Sequence, residues 1–278
     1  MKLEMWSEIT CPWCGLGSHR LDGAVERFEH SDQVTVVHRS FPLSSGFPEG
    51  RTLSVREALM AKYGAIPEQA AALDIEEMAA AEGLAPYRVL DNRVGNTDLA
   101  HEFLAHASVL GKNREGWDML FRDYFGNAEP IFALDDLLGF SDKLGLDREQ
   151  TREVLTERHY RQHVQDDARG AQSLGAAGVP FILIDGRYTV SGAQGSDALL
   201  GYLRAAWNEA HPVTAVVPAG DAPTCGPDEC DPGSFMTTAA REAIPPTQFP
   251  KEPSMSYLLP SSPSAATCRQ DAPDEVIR

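Results

Sequence analysis

Two cysteines set around a proline and a tryptophan, Cys11-Pro12-Trp13-Cys14, are the residues of this chain best placed to do chemistry. A dithiol so closely spaced can exchange electrons with a disulfide: one thiolate attacks, a mixed disulfide forms, and the second thiol resolves it. The flanks favour that use. Leu3-Glu4-Met5-Trp6-Ser7-Glu8-Ile9, just before the pair, is apolar and aromatic enough for one strand. After it, Leu16, Leu21, Val25 and Phe28 fall on one face of a helix, with Arg20, Glu26, Arg27 and Glu29 around the rest. Pro12 suits the first helical turn, where its missing N–H would have had no helical partner. The cysteines therefore sit where a strand hands over to a helix N-terminus, whose free N–H groups and partial positive charge stabilise an anion. The expected anion is the thiolate of an exposed Cys11, with a pKa in the roughly 3.5–7.5 range of activated cysteines. Cys14, one turn deeper, is placed to resolve.

The elements that must hold this pair follow from pattern. A second strand, Val34 to Phe41, is rich in β-branched residues and stopped by Pro42, so the start reads strand, helix, parallel strand. Helical signals then dominate for more than a hundred residues. Ser54 and Glu57 form a capping box for a helix closed at Gly64, and Pro67 opens an Ala-rich one ended by Gly83. Asn96-Thr97-Asp98 caps a helix carrying Leu99, Phe103, Leu104 and Val109. Helices follow around Trp117–Phe125 and Leu134–Leu144, and one long helix runs from Asp147, with Gln150 in capping-box register, to the Gly175–Gly178 region. His101, His106, His159 and His163 lie in this stretch without metal-ligand spacing and read as solvated or core-lining. Strand character returns at Val179-Pro180-Phe181-Ile182-Leu183-Ile184. Asp185-Gly186 then makes a type I′ turn, Arg187 to Val190 returns antiparallel, and a helix over Ser196–Glu209 buries Leu199, Leu200, Leu203 and Trp207. Beyond His211-Pro212 the chain is rich in proline and lacks periodicity.

Charge and cysteine usage narrow the function classes. A formal charge of −17 disfavours nucleic acid and anionic membranes as partners. No stretch approaches the ~18 apolar residues of a membrane span, and the first strand begins at once, without a basic and apolar leader. The cytoplasm is the expected compartment, where a close dithiol is catalytic or metal-binding rather than a structural staple. Five cysteines leave at least one thiol unpaired in a monomer. Cys225 and Cys230 flank a Gly-Pro-Asp-Glu turn within the tail. They read as a second redox pair relaying electrons to or from Cys11–Cys14, as a local staple, or as two ligands of a four-thiolate zinc site with Cys11 and Cys14. Cys268 reads as an idle thiol.

The order and spacing of these motifs resemble the DsbA-like branch of the thioredoxin superfamily, and within it the cytoplasmic FrnE-type members. The residues that carry the likeness are Ser7-Glu8, Cys11-Pro12-Trp13-Cys14 and Gly17. Asn96-Thr97 with Ala100-His101, Phe121 with Tyr124-Phe125, Gly178-Val179-Pro180-Phe181, Ile184-Asp185-Gly186 and Val190 to Gln194 complete it. The resemblance covers about residues 1–210. It implies an α/β fold: a thioredoxin-like domain over 1–45 and 176–211, interrupted by an all-helical insert domain over 46–175, with a mostly irregular tail over 212–278. It also implies a cis Val179–Pro180 bond, with the loop beside the dithiol and the Val179 backbone offered to an extended substrate. Two departures stand out. Many relatives place Tyr directly after the second cysteine and Lys three residues later, where this chain has Gly15 and Ser18. Thioredoxin keeps a buried acid six residues before its nucleophile, where this chain has Met5; Glu8 is the nearest alternative, either a relay or a solvated carboxylate at a strand end.

The function so implied is a cytoplasmic thiol–disulfide oxidoreductase, acting as a protein disulfide isomerase or reductase through Cys11 and Cys14. It needs no cofactor beyond a redox-active disulfide and no metal. Its expected partners are proteins bearing thiols or disulfides and a cellular thiol reductant, with a homodimer left open. The alternatives are a glutathione-dependent or polyketide-pathway small-molecule isomerase or transferase on the same fold, and a non-enzymatic holdase.

Overall fold

The computed structural model describes residues 1–64 and 69–212. Strand β1 (Lys2–Ser7) runs parallel to β2 (Thr35–Ser40), with Lys2 opposite Thr35 and Ser7 opposite Ser40. On its other side it pairs antiparallel with β5 (Phe181–Ile184), which pairs antiparallel with β6 (Tyr188–Ser191), giving the order β2-β1-β5-β6. The two-residue period of β1 sorts its side chains. Leu3 and Met5 are fully buried with Leu21, Ala24 and Val25 of α1 (Pro12–Glu26) and Leu199, Leu200 and Leu203 of α9 (Ser196–Ala210). Trp6 points the other way, its ring 5.9 Å from that of Phe181. In the hairpin, Asp185 and Gly186 take positive φ of 52° and 69°, and the Arg187 N–H donates to the Ile184 carbonyl at 3.0 Å. Tyr188 is the residue opposite Ile184, so Arg187, expected to open the return strand, belongs to the turn.

The segment between β2 and β5 is mostly but not wholly helical. Strands β3 (Thr52–Ser54) and β4 (Arg93–Gly95) form a two-stranded antiparallel ribbon, where only helices were expected. Three residues are too few to display alternation, and a Cβ on Gly95 would stand 2.9 Å from the Arg51 carbonyl oxygen, a close approach that glycine allows. Helix α2 (Val55–Tyr63) has the expected reciprocal capping box and ends at Gly64, φ +69°. Helix α3 (Gln69–Ala81) is followed by Gly83, φ +84°; Pro67, expected in its first turn, lies outside the described residues. Helix α4 (Asp98–Val109) begins after Thr97, with the Asp98 N–H donating to Asn96 Oδ1 at 2.9 Å. Of its expected apolar face, Phe103 and Leu104 are buried, whereas Val109 at the helix end is exposed. Helix α5 (Asn113–Phe121) runs into a π-helical turn, Arg122–Gly126, and α6 spans Leu134–Leu144.

The long helix expected from Asp147 is two helices, α7 (Arg148–Thr156) and α8 (Arg161–Ser173). Asp147 caps the first as expected, accepting from the Gln150 N–H at 2.7 Å. The break falls at Arg158, φ +56°, whose guanidinium reaches Glu102 at 2.6 Å and Glu49 at 2.7 Å. Glu102 is buried on α4, so a continuous helix would leave an uncompensated charge inside the protein. Periodicity carries no trace of such a demand.

The largest buried cluster joins Trp117, Phe103, Tyr124, Phe125 and Phe140 of the helical segment to Ile9, Cys11, Cys14 and Leu16. The dithiol thus lies in the seam between α1 and the helices inserted after β2.

Candidate active site

The chain leaves β1 through a turn in which the Cys11 N–H donates to the Glu8 carbonyl at 3.2 Å. Cys11 is the N-cap of α1, in extended backbone (φ −82°, ψ 114°), with Pro12 at the first helical position. The Cys14 N–H donates to the Cys11 carbonyl at 2.9 Å, which sets the second thiol one turn inside. Both thiols are free, Cys11 is 6% exposed and Cys14 0%. Cys11 is therefore the outer of the two, although it is far less open than the exposed thiol expected from its place at a helix terminus. Burial pushes the Cys14 thiol well above the usual range, and its hydrogen bond with Cys11 and the Cys11 charge push the same way.

Two glycines let neighbours close on this turn. A Cβ on Gly15 would stand 2.5 Å from Tyr87 Oη and 3.2 Å from the Phe125 ring. Tyr87 uses that space to donate its hydroxyl to the Pro12 carbonyl, and its ring stacks on Phe125 at 4.5 Å. Burial first, and then Cys11 and Cys14, push the Tyr87 phenol well up, so it stays a neutral donor. A ring from the segment before β4 thus packs over the turn beside Gly15. A Cβ on Gly17 would lie 3.1 Å from Pro180 Cγ, and the Val179–Pro180 bond is cis, as the resemblance implied. Gly17 stands three residues after Cys14, on the same face of α1. Val179 packs against the cluster that contains both cysteines, and its backbone N–H and C=O have no hydrogen-bond partner among the described residues.

Glu8 is not the solvated carboxylate considered for it. It is 1% exposed, and its oxygens accept from the Thr10 N–H at 3.1 Å, the Leu43 N–H at 2.8 Å and the Thr97 hydroxyl at 2.9 Å. His101 Nε2 stands 3.6 Å from Glu8 Oε1, and the His101 ring is 0% exposed. Burial alone would raise the Glu8 pKa, but the His101 ring and the Leu43 and Thr10 N–H groups more than offset it and hold the carboxyl below its ordinary range. His106 is also buried, against Tyr160, while His159 and His163 are about half exposed. Arg20, expected on the solvated face of α1, is buried, pairing with Glu82 at 2.6 Å and donating to the Ala193 carbonyl at 2.5 Å.

Of the expected site residues, Cys11, Cys14, Val179 and Pro180 lie together at one end of α1. Tyr87, Thr97 and His101, not among the expected site residues, stand beside that turn or beside Glu8. Thr97 and His101 had a signal, since residues four apart on one helix side can turn together toward one partner; Tyr87 had none. Cys225, Cys230 and Cys268 lie outside the described residues, and with them the relay, staple and zinc readings. Among the described residues, no helix is long and apolar enough to cross a membrane.

A family model described as the DSBA-like thioredoxin domain matches residues 2–204. A probable DsbA oxidoreductase from Streptomyces coelicolor is 39% identical, with 83% of this chain and 98% of that one covered and a TM-score of 0.72. The cytosolic disulfide reductase DsbM from Pseudomonas aeruginosa, solved with GSH, is 17% identical over 75% of this chain and 100% of its own, with a TM-score of 0.55. A 2-hydroxychromene-2-carboxylate isomerase is 14% identical over 77% and 100%, with a TM-score of 0.58. The last two likenesses are of fold alone. A comparison with curated proteins gave no match.

Proposed function

The chain belongs to the DSBA-like thioredoxin domain family, and from that premise we propose that it is a thiol–disulfide oxidoreductase acting on proteins, with Cys11 as attacking and Cys14 as resolving thiol. The observation that carries this reading is the convergence at one end of α1. Cys11 is the outer sulfur, Cys14 lies buried behind it, and the cis Val179–Pro180 loop sits on the same helix face, with a Val179 backbone that has no hydrogen-bond partner among the described residues. An extended substrate segment can pair with that backbone as an added strand, which brings its disulfide to Cys11.

The exchange then runs in two steps. The Cys11 thiolate attacks one substrate sulfur, so a Cys11–substrate S–S bond forms, the substrate S–S bond breaks, and the departing thiolate is protonated by solvent. Cys14 gives up its proton and attacks Cys11 Sγ. The Cys11–Cys14 disulfide forms, the mixed disulfide breaks, and two electrons have passed to the substrate. A cellular thiol reductant restores the dithiol. Escape of the mixed disulfide to another substrate thiol makes the same steps an isomerisation. In this reading the protein works in the cytoplasm with no cofactor but its own disulfide, and Cys225–Cys230 forms a second redox pair.

One observation favours a small-molecule substrate instead: Cys11 is only 6% exposed, an opening that suits a small thiol. Insulin reduction and glutathione transfer to an aromatic electrophile, each measured for the native chain and for Cys11→Ser, separate the two. Loss of insulin reduction in Cys11→Ser, with no transferase activity in either protein, supports the protein-directed reading. The reverse pattern overturns it.

A further inference from the structure

A substrate strand can pair with the Val179 backbone only where the loop carrying it is held in place. The Pro180 carbonyl accepts from the Gly192 N–H at 2.9 Å, so this loop hangs on the segment that follows β6. That segment turns sharply, with Gly192 at φ +79° and the Gln194 side chain donating to the Ser191 carbonyl at 3.0 Å. The Ala193 carbonyl has one hydrogen-bond partner among the described residues, Arg20 Nη1 at 2.5 Å. Arg20 stands one turn after Gly17 on α1. A Cβ on Gly17 would lie 3.1 Å from Pro180 Cγ and 3.5 Å from Ala193 Cβ, so the two loop residues meet the helix together. The same guanidinium is anchored in the helical segment. Its Nε and Nη2 reach the two carboxylate oxygens of Glu82, the residue after α3, at 2.9 and 2.6 Å. That two-pronged pairing is the one a planar guanidinium favours. His19 Nε2 lies 2.9 Å from the Glu82 carbonyl oxygen, so α1 grips the end of α3 twice. Arg20 is 9% exposed, and the exchange steps make no use of its buried charge.

Resting on the exchange reading above, we propose that Arg20 is a positioning residue for protein substrates: braced on Glu82, it holds the Ala193 carbonyl and, through Gly192 and Pro180, fixes the Val179 backbone with which a substrate strand pairs. Its contribution is preorganisation, because a loop already set in the pairing geometry needs no further ordering when substrate arrives. The Glu82 carboxylate keeps the guanidinium in one orientation, and the Arg20 guanidinium in turn holds the Glu82 carboxyl below its ordinary range. The brace therefore discriminates between classes of disulfide. One embedded in an extended chain needs both Cys11 and the Val179 backbone, whereas a small disulfide needs Cys11 alone. A role in packing only would slow the reaction of both classes alike.

The test uses the full-length chain with Cys14, Cys225, Cys230 and Cys268 replaced by Ser, so that only Cys11 reacts. Two probes carry the same leaving group: 5,5′-dithiobis(2-nitrobenzoate), and a short extended peptide whose single cysteine is joined to thionitrobenzoate. With either probe the Cys11 thiolate forms a new S–S bond, the probe's S–S bond breaks, and thionitrobenzoate leaves with the electron pair. Release from the peptide should saturate in the parent protein. Arg20→Met should cut the ratio of peptide rate to small-disulfide rate about tenfold, the low end of what a charged hydrogen bond contributes. The loss should lie in the half-saturating peptide concentration, with the plateau rate little changed. Arg20→Lys keeps a charged donor for the Ala193 carbonyl and should recover part of the loss. Should Arg20→Met fail to unfold cooperatively, Glu82→Gln carries the same test with a smaller loss, since that side chain is 31% exposed and its replacement only loosens the brace. A ratio that stays at the parent value, or an equal fall in Arg20→Lys and Arg20→Met, overturns the proposal. A parent protein that shows no saturation with the peptide overturns the protein-directed reading, and the proposal with it.

Discussion

The hydroxyl of Tyr87 occupies the space that a side chain on Gly15 would fill: a Cβ there would stand 2.5 Å from Tyr87 Oη, which donates to the carbonyl of Pro12 between the two cysteines. Residues that share one space are energetically coupled. Gly15→Ala should therefore be destabilising despite the ~1 kcal/mol that alanine adds over glycine within a helix. Tyr87→Phe should lose about 0.5–1.5 kcal/mol with its hydrogen bond. In the double variant the clash with the hydroxyl is gone, so it should be more stable than the two single effects predict, by roughly 0.5–3 kcal/mol. Urea unfolding of the four proteins measures this. Strict additivity would place Tyr87 elsewhere.

Gly17 makes the corresponding contact with Pro180. The neighbour stands 3.1 Å from where a Cβ would be and must give by a few tenths of an ångström. Overpacking costs about 1–3 kcal/mol, against the ~1 kcal/mol propensity gain. Gly17→Ala should thus lose up to ~2 kcal/mol and, by shifting the Pro180 loop against the dithiol, slow insulin reduction. Stability and rate both unchanged would mean that the loop moves freely.

What could be read in the chain before its structure follows from the range over which each signal acts. The dithiol at a helix start, the Ser54–Glu57 box and the Asp185-Gly186 turn are local statements of a few residues, and each stands where it was expected. The break at Arg158 and the burial of Arg20 are answers to Glu102 and Glu82, dozens of residues away in sequence, and no periodicity records them. Glu8 shows the same limit at the site. Alone it is an acid at a strand end, and only the arrival of Leu43, Thr97 and His101 makes it a buried anion.

Asp22 gives a pH signature for stability. Burial pushes its carboxyl up to about 6, despite Arg114 at 2.6 Å. Its ordinary value is 3.8, so between about pH 4 and 6 the folded state binds more protons than the unfolded state, and stability from this group falls as the pH rises. At about 1.4 kcal/mol per pKa unit the effect is up to ~3 kcal/mol. Asp22→Asn should flatten the fall in denaturation midpoint across that window. An equally steep fall in the variant would assign it to other groups.

The most direct test of the central claim is to incubate full-length Cys14→Ser and Cys11→Ser with a disulfide-bearing protein and map the adducts by non-reducing electrophoresis and mass spectrometry. With the resolving thiol gone, Cys14→Ser should accumulate a mixed disulfide joined at Cys11 and released by dithiothreitol. Cys11→Ser should form far less at Cys14, whose thiol is buried and held protonated. Equal adduct at the two positions, or none at Cys11, would contradict the assignment of Cys11 as the attacking thiol.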